Sequence, residues 1–117
     1  MDPRHLKRLR IVQELFSEEF YPQKNLSSKT KAIIENASKF TDLIKKVAPK
    51  FPIEKIAKVD LSILKLALYE LLIEKKEPEK VIIDEAVELA KELGGEKSYA
   101  FVNAVLGTIL KEQKDKN

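Results

Sequence analysis

The apolar residues of the segment from Asp60 to Ile73, DLSILKLALYELLI, leave almost no face of a helix polar. On a 3.6-residue repeat they form three neighbouring rows, and the polar atoms come from Ser62, Lys65, Tyr69 and Glu70. A helix that is apolar almost all round must be covered by other elements. The pattern therefore predicts a central and deeply buried helix with Asp60 as its N-cap.

The other apolar positions also recur at helical intervals, between glycines and prolines that interrupt them. They predict helices over residues 4–20, 28–48, 53–57 and 79–93, and a last one over about 97–111. Gly94 and Gly95 are expected to supply a left-handed C-cap. The predicted fold class is all-α, a compact bundle of about five long helices and one short one. We predict one domain over residues 1–112 and a polar, fraying tail over 113–117.

Composition narrows the class of protein. No run of about 18 apolar residues is present, and MDPRHLKRLR lacks the apolar stretch of a secretion signal, so we expect no membrane span and a cytoplasmic location. The absence of cysteine and the single histidine disfavour metal sites and serine-type triads. No glycine-rich phosphate loop or nucleophile elbow occurs. We therefore predict a protein that is not an enzyme, with no catalytic residue, metal or cofactor.

The N-terminal segment carries a cluster of cationic side chains and one histidine: Arg4, His5, Lys7, Arg8 and Arg10. Cations at a helix N-terminus oppose the helix dipole, at a cost of about 0.3 to 1 kcal/mol each. A helical row of such cations can follow a nucleic-acid backbone, and this favours a phosphate-binding surface. The alternative is a solvated, frayed terminus.

Aromatic and acidic positions suggest two further surfaces. Tyr99, just after the double glycine, is the aromatic most expected to be exposed and able to stack on an unpaired base. Asp84, Glu88 and Glu92 line one face of a predicted helix, where carboxylates at i, i+4 repel weakly. A solvated face relieved by Lys91 is the favoured interpretation of that row, and a docking face for a basic partner or a divalent-cation site is the alternative.

Three pieces of the chain carry a family resemblance: VDLSILKLALYEL, the EAVELAK helix that ends in a double glycine, and SYAFVNAVL. In this order, over residues 59–106, they closely resemble the C-terminal part of the NusB family of bacterial transcription antitermination factors. RLRIVQELF is similar to the family's arginine-bearing first helix, whereas residues 21–52 match only in being helical.

The resemblance implies an all-helical, NusB-like RNA-binding protein without enzymatic activity. Such a protein joins NusE, a small-subunit ribosomal protein, on single-stranded boxA-type RNA. As part of the RNA polymerase antitermination complex, it supports transcription of ribosomal RNA. The alternative is a helical protein-interaction module that keeps the NusB fold but lacks specific RNA recognition. The sequence leaves the oligomeric state open between monomer and homodimer.

The resemblance also assigns roles to particular positions. It places the basic first helix on Lys7, Arg8 and Arg10, the following aromatic on Phe16, and RNA-facing positions on Lys97 and Phe101. With Arg4 and Tyr99 from the charge and aromatic patterns, the predicted RNA-binding set is Arg4, Lys7, Arg8, Arg10, Phe16, Lys97, Tyr99 and Phe101. The resemblance places acidic family positions on Glu54 and Asp60. Together with Asp84 and Glu88 from the acidic row, these form the predicted protein-partner set.

Overall fold

Helices form the regular structure of the computed structural model, which describes residues 2–116. The helices are α1 (Pro3–Glu18), α2 (Ser28–Glu35), α3 (Ala37–Val47), α4 (Lys58–Tyr69), α5 (Glu79–Leu93) and α6 (Ser98–Asp115). A 3₁₀ turn at Ile53–Lys55 precedes α4, and a π-helical turn at Glu70–Glu74 prolongs it. No strand occurs within residues 2–116, so the predicted all-α class is confirmed. In the same range, no helix is both long and apolar enough to cross a bilayer.

Helix α4 lies at the centre of the core, as its apolar pattern predicts. It packs against α1, α3, α5 and α6, and Ile63, Leu64 and Leu68 are wholly enclosed. The helix begins at Lys58 with Ala57 at the N-cap, so the predicted N-cap at Asp60 is wrong. Asp60 instead lies within the first turn of α4, where it is buried.

The predicted helix over residues 28–48 is two helices, α2 and α3, separated at Asn36. The Asn36 side-chain amide donates a hydrogen bond of 2.8 Å to the carbonyl oxygen of Ala32. It thereby competes with the backbone for an acceptor one helical turn earlier, which explains the local break. The 53–57 helix is also shorter than predicted, since it is the single 3₁₀ turn at Ile53–Lys55.

The turn between α5 and α6 differs from its prediction. Gly94 has φ −92° and ψ −173°, which is an extended conformation, so the expected left-handed cap is wrong. Glycine is needed there for space, because a Cβ at Gly94 would lie 2.4 Å from the Oγ of Ser98.

The C-terminal helix is longer than its sequence pattern predicts. Helix α6 continues to Asp115 rather than ending near Lys111, so most of the tail expected to fray is helical. Lys114 pairs with Glu79 at 2.9 Å, which ties this last turn to the start of α5. Asn117, the final residue of the predicted tail, lies outside the described residues.

Candidate nucleic-acid interface

Helix α1 begins with a favourable cap in spite of its cations. Asp2 is the N-cap, and its carboxylate accepts a hydrogen bond of 2.8 Å from the backbone N–H of Arg4. Pro3 occupies the first helical turn, where its missing N–H costs nothing. The negative charge of Asp2 at the positive end of the helix dipole offsets the nearby cations. The first helix is therefore ordered from its N-terminus rather than frayed.

Arg8 points into the protein. Its side chain is only 7% exposed, and its Nε and Nη2 donate to the two carboxylate oxygens of Glu70 at 2.9 and 2.8 Å. Glu77 and Glu85 also accept from the guanidinium. The hydrogen bonds with Glu70 raise the pKa of Arg8 further above its ordinary value. Arg8 thus joins α1 to the segment after α4 and to α5, and its donors are already used by protein carboxylates.

Three other cations of α1 lie on its solvent side. Arg4 is 63% exposed but pairs with Asp2 and Glu77, at 3.3 and 2.8 Å. Arg10 is 78% exposed, with one loose i, i+4 pair to Glu14 at 3.3 Å. Lys7 is exposed and takes part in none of the ion pairs within residues 2–116. Lys7 and Arg10 are therefore the α1 cations most available to an anion.

These side chains border an open cleft of about 590 Å³ between α1, the start of α2 and the segment after α4. Its charged lining consists of Arg4, Lys7, Arg8, Arg10, Lys29, Lys76, Glu70, Glu74 and Glu77. The three carboxylates are all engaged by Arg4, Arg8 and Lys29. The remaining cations give the cleft a positive surplus, which suits a phosphate group. Lys29 and Lys76 were missed because no local pattern places them beside α1.

His5 joins the same helix to α5. Its Nδ1 lies 3.0 Å from Glu85 Oε2, and its Nε2 lies 2.8 Å from Glu92 Oε1. The hydrogen bond with Glu85 raises the pKa of His5 above its ordinary value of 6.5. Glu92, which the sequence places in an outer acidic row, therefore contacts α1 as well as solvent.

Phe16 lies at the other end of α1, away from the cleft. Twelve residues separate it from Arg4, which corresponds to about 18 Å along a helix. Its ring is 38% exposed and meets that of Phe20 edge to face, with centroids 5.1 Å apart. Glu18 and Glu19 are the neighbouring charges, and Glu19 pairs with Lys65 at 3.1 Å. The structure thus separates Phe16 from the basic residues with which it was grouped.

The three C-terminal candidates occupy two faces at the start of α6. Lys97 is exposed at the N-cap, and Phe101 follows one turn later on the same side. The Phe101 ring is partly buried and contacts that of Phe51 edge to face, with centroids 5.5 Å apart. Tyr99 is 45% exposed, and its ring lies 5.4 Å from the Nζ of Lys91 on α5. Lys97 and Phe101 therefore belong together, whereas Tyr99 lies apart from them.

The predicted protein-partner residues are also divided. Glu54, Asp84 and Glu88 are exposed, and the last two pair with Lys80 and Lys91 at 3.0 and 3.8 Å. Asp60 is only 7% exposed and accepts a hydrogen bond of 3.1 Å from the Ser98 hydroxyl. Burial raises the pKa of its carboxyl group above the ordinary range. Asp60 thus connects α4 to α6 and does not present a surface to a partner.

Fold and charge together define a small helical-bundle protein with a basic cleft beside its first helix. The family model of the NusB family matches residues 7–111, and the chain belongs to that family. It is 40% identical to the transcription antitermination protein NusB of Clostridium botulinum (strain Kyoto / Type A2), over 91% of this chain and 80% of that protein.

Two solved structures share the fold. The NusB of Thermotoga maritima superposes with a TM-score of 0.81 at 37% identity, over 95% of this chain and 92% of that one. A crystal structure of the antitermination factors NusB and NusE in complex with double-stranded RNA superposes with a TM-score of 0.61 at 22% identity, over 95% of this chain and 99% of that one. The second likeness concerns the fold alone.

Proposed function

We propose that this protein is a transcription antitermination factor that binds boxA-type single-stranded RNA together with NusE and supports ribosomal RNA transcription. Family membership and the name of the Clostridium relative support the role in antitermination. The observation that carries RNA binding is the cleft beside α1, whose carboxylates are occupied while Lys7 and Arg10 remain open to solvent.

The buried Arg8 supports this assignment indirectly. The Arg8 guanidinium donates from Nε and Nη2 to the two carboxylate oxygens of Glu70. Because this two-point contact permits one orientation of the side chain, it fixes the rotation of α1 about its own axis. Lys7, one residue before Arg8 in the chain, is then directed to solvent. Arg8 is in this proposal an anchor of the RNA-binding helix, and the contacts with phosphate come from Lys7, Arg10, Lys76 and, in part, Arg4.

The partner protein is inferred from a relative, whereas the form of the RNA is inferred from the side chains of this chain. NusE accompanies NusB in the more distant solved structure, and the RNA there is double-stranded. We propose NusE as the partner of this chain too, with the exposed Glu54, Asp84 and Glu88 as candidate contacts. For the RNA we favour a single strand, since exposed aromatic rings near cations can stack on bases that a duplex hides.

The protein acts by binding in this proposal, without a catalytic step or a cofactor, in the cytoplasm where bacterial transcription takes place. Within residues 2–116, no group of three or more His, Cys, Asp or Glu side chains is placed to hold a metal ion. A protein-interaction module without specific RNA recognition is the second candidate function. It is favoured by the exposed carboxylates of Asp84 and Glu88 on α5, on a helix face that contributes nothing to the basic cleft.

A binding competition distinguishes the two candidate functions. Fluorescence anisotropy would compare a boxA-like single strand, a scrambled single strand and a boxA-like duplex, each with and without NusE at physiological salt. Preference for the boxA single strand supports the proposal. Equal binding of all three RNAs, together with binding of NusE, overturns it in favour of the interaction module.

The salt dependence of binding tests the cleft itself. A plot of the logarithm of the RNA-binding constant against the logarithm of the salt concentration has a negative slope. The double variant Lys7→Ala/Arg10→Ala should reduce the magnitude of that slope by up to about 1.4, because each phosphate contact on a single strand contributes about 0.7. Lys80→Ala is the matched control, since Lys80 is an exposed cation on α5 outside the cleft. An unchanged slope in the double variant would remove the cleft from the RNA-binding surface.

A further inference from the structure

The loop between α3 and the 3₁₀ turn carries an aromatic side chain that the function proposed above does not use. Phe51 is 54% exposed, and its ring meets Phe101 of α6 edge to face, with centroids 5.5 Å apart and an interplanar angle of 69°. Its backbone N–H donates to the Ala48 carbonyl oxygen at 3.1 Å, and Pro52 follows it. The ring is thus held in a defined position with one side open to solvent.

Two exposed lysines adjoin this aromatic pair along the chain. Lys50 precedes Phe51 in the chain, and Lys97 lies one helical turn before Phe101 on the same side of α6. Both are exposed, and neither belongs to an ion pair between described residues. Across residues 50–58 and 96–97, the charged side chains are Lys50, Lys55, Lys58, Lys97, Glu54 and Glu96. Cations outnumber carboxylates there, as a surface for phosphate requires.

Aromatic rings and cations together suit single-stranded nucleic acid better than protein or duplex. A ring can stack on the face of any unpaired base, while lysines nearby attract the flanking phosphates. An apolar protein segment would have to leave the ammonium groups of Lys50 and Lys97 without counter-charges.

We infer that Phe51 stacks on an unpaired RNA base, with Phe101 supporting its ring and Lys50 and Lys97 contacting the adjoining phosphates. This inference rests on the RNA-binding function proposed above and extends it. The RNA surface then includes the loop after α3 as well as the cleft beside α1. Phe51 contributes affinity for single strands, because a base paired in a duplex has no free face to offer it.

Tryptophan substitution tests the contact directly, because the chain contains no tryptophan. In Phe51→Trp, emission excited at the red edge of protein absorption comes from residue 51 alone, and a stacked base should quench it. Phe20→Trp is the matched control, since Phe20 is 58% exposed and belongs to an edge-to-face pair of similar geometry among carboxylates. We expect strong quenching by boxA-like RNA in Phe51→Trp and little in Phe20→Trp. Equal quenching in the two variants would overturn the inference.

Affinity provides the second measurement. Phe51→Ala should weaken binding of a boxA-like single strand by about 5- to 150-fold, the usual effect of removing one stacked aromatic. Phe51→Trp should bind about as tightly as the unmodified protein. Thermal melting by circular dichroism checks that both variants fold, which the exposure of the ring favours.

The possible failures are distinguishable. If Phe51→Ala changes RNA affinity less than twofold while Lys7→Ala/Arg10→Ala weakens it, the Phe51 contact is wrong and the proposed function stands. If Phe51→Ala loses NusE binding and keeps RNA binding, the aromatic pair is a protein contact and the inference is likewise wrong. If the unmodified protein binds no RNA, both the inference and the proposed function fail.

Discussion

Two aromatic pairs of almost equal geometry, each with one ring more than half exposed, differ in the charges beside them. Phe16 and Phe20 meet at 5.1 Å and 68°, and Phe51 and Phe101 meet at 5.5 Å and 69°. Glu18 and Glu19 lie between Phe16 and Phe20 in the chain, with Glu19 paired to Lys65, whereas Lys50 adjoins Phe51 and Lys97 lies one helical turn before Phe101. Ring geometry is therefore the same in both places and cannot identify the ligand. The charges around the rings favour RNA at the second pair and disfavour it at the first.

The largest effect is expected from the side chain that anchors α1, the helix that carries Phe16. Arg8→Ala leaves the buried carboxylate of Glu70 without its two hydrogen bonds and with only Lys29 at 3.9 Å, so the free energy of unfolding should fall by about 3 to 5 kcal/mol. Urea denaturation followed by circular dichroism measures this change. Arg10→Ala, an exposed arginine of the same helix, should cost no more than about 0.5 kcal/mol. Similar losses in the two variants would show that Arg8 is not the anchor.

Phe101 of the second pair packs against the core around α4, which the next substitution weakens. Leu64→Ala should lower the free energy of unfolding by about 2 to 5 kcal/mol, because Leu64 is wholly buried. The RNA affinity of the folded protein should hardly change, since Leu64 reaches neither surface. Leu6→Ala is the control, with a side chain that is 48% exposed. A large loss of affinity at unchanged stability would mean that the RNA site lies elsewhere.

The next largest effect is expected on RNA affinity, when one ring of each pair is removed. Phe51→Ala should cost about 1 to 3 kcal/mol of binding free energy towards single-stranded RNA. Phe16→Ala, measured by the same anisotropy titration without NusE, should cost less, because carboxylates next to Phe16 repel phosphate. If Phe16→Ala proves as harmful as Phe51→Ala, surrounding charge does not distinguish the pairs, and the resemblance-based role of Phe16 in RNA binding gains support.

The smallest effect concerns pH and should be confined to the α1 side. His5 faces Glu85 and Glu92 of α5, with Arg8 one turn later on its own helix, and its pKa is raised above 6.5. A raised pKa means that the folded state binds the proton more tightly, so this stabilisation is complete below pH 6.5. It is lost as pH rises through the higher pKa of the folded state, and it should amount to less than about 1 kcal/mol.

Unfolding measured between pH 6 and 8 tests this dependence. His5→Gln keeps a polar side chain without the titration, so its stability should vary less with pH over that range. The quenching of tryptophan emission by RNA in Phe51→Trp should not change with pH in a way that depends on His5. A pH dependence that survives in His5→Gln would assign it to another group.

Local interactions explain what could be predicted from the sequence. Helix α5 begins at Glu79 and ends at Leu93 as predicted, and the burial of α4 follows from its apolar rows. Both features depend on residues three or four positions apart, which any helix brings together. The break at Asn36 was also local in cause, since an asparagine inside a helical pattern can bond to its own backbone. The asparagine was visible in the sequence, but the continuous apolar periodicity around it led to the prediction of a single helix.

Contacts between distant parts of the chain determine which polar residues remain available to a ligand. Arg8 and Lys7 are neighbours in a basic cluster, yet Arg8 is buried because Glu70, 62 residues away, accepts two of its hydrogen bonds. The sequence alone suggests that Asp60 is a surface acid, but the fold brings Ser98 against it. Ser98 also leaves no room for a side chain at Gly94. Local patterns in the sequence were enough to predict most of the helices, the burial of α4 and the family. The packing of distant helices determined which charges are neutralised, because an ion pair between distant residues has no periodicity to read.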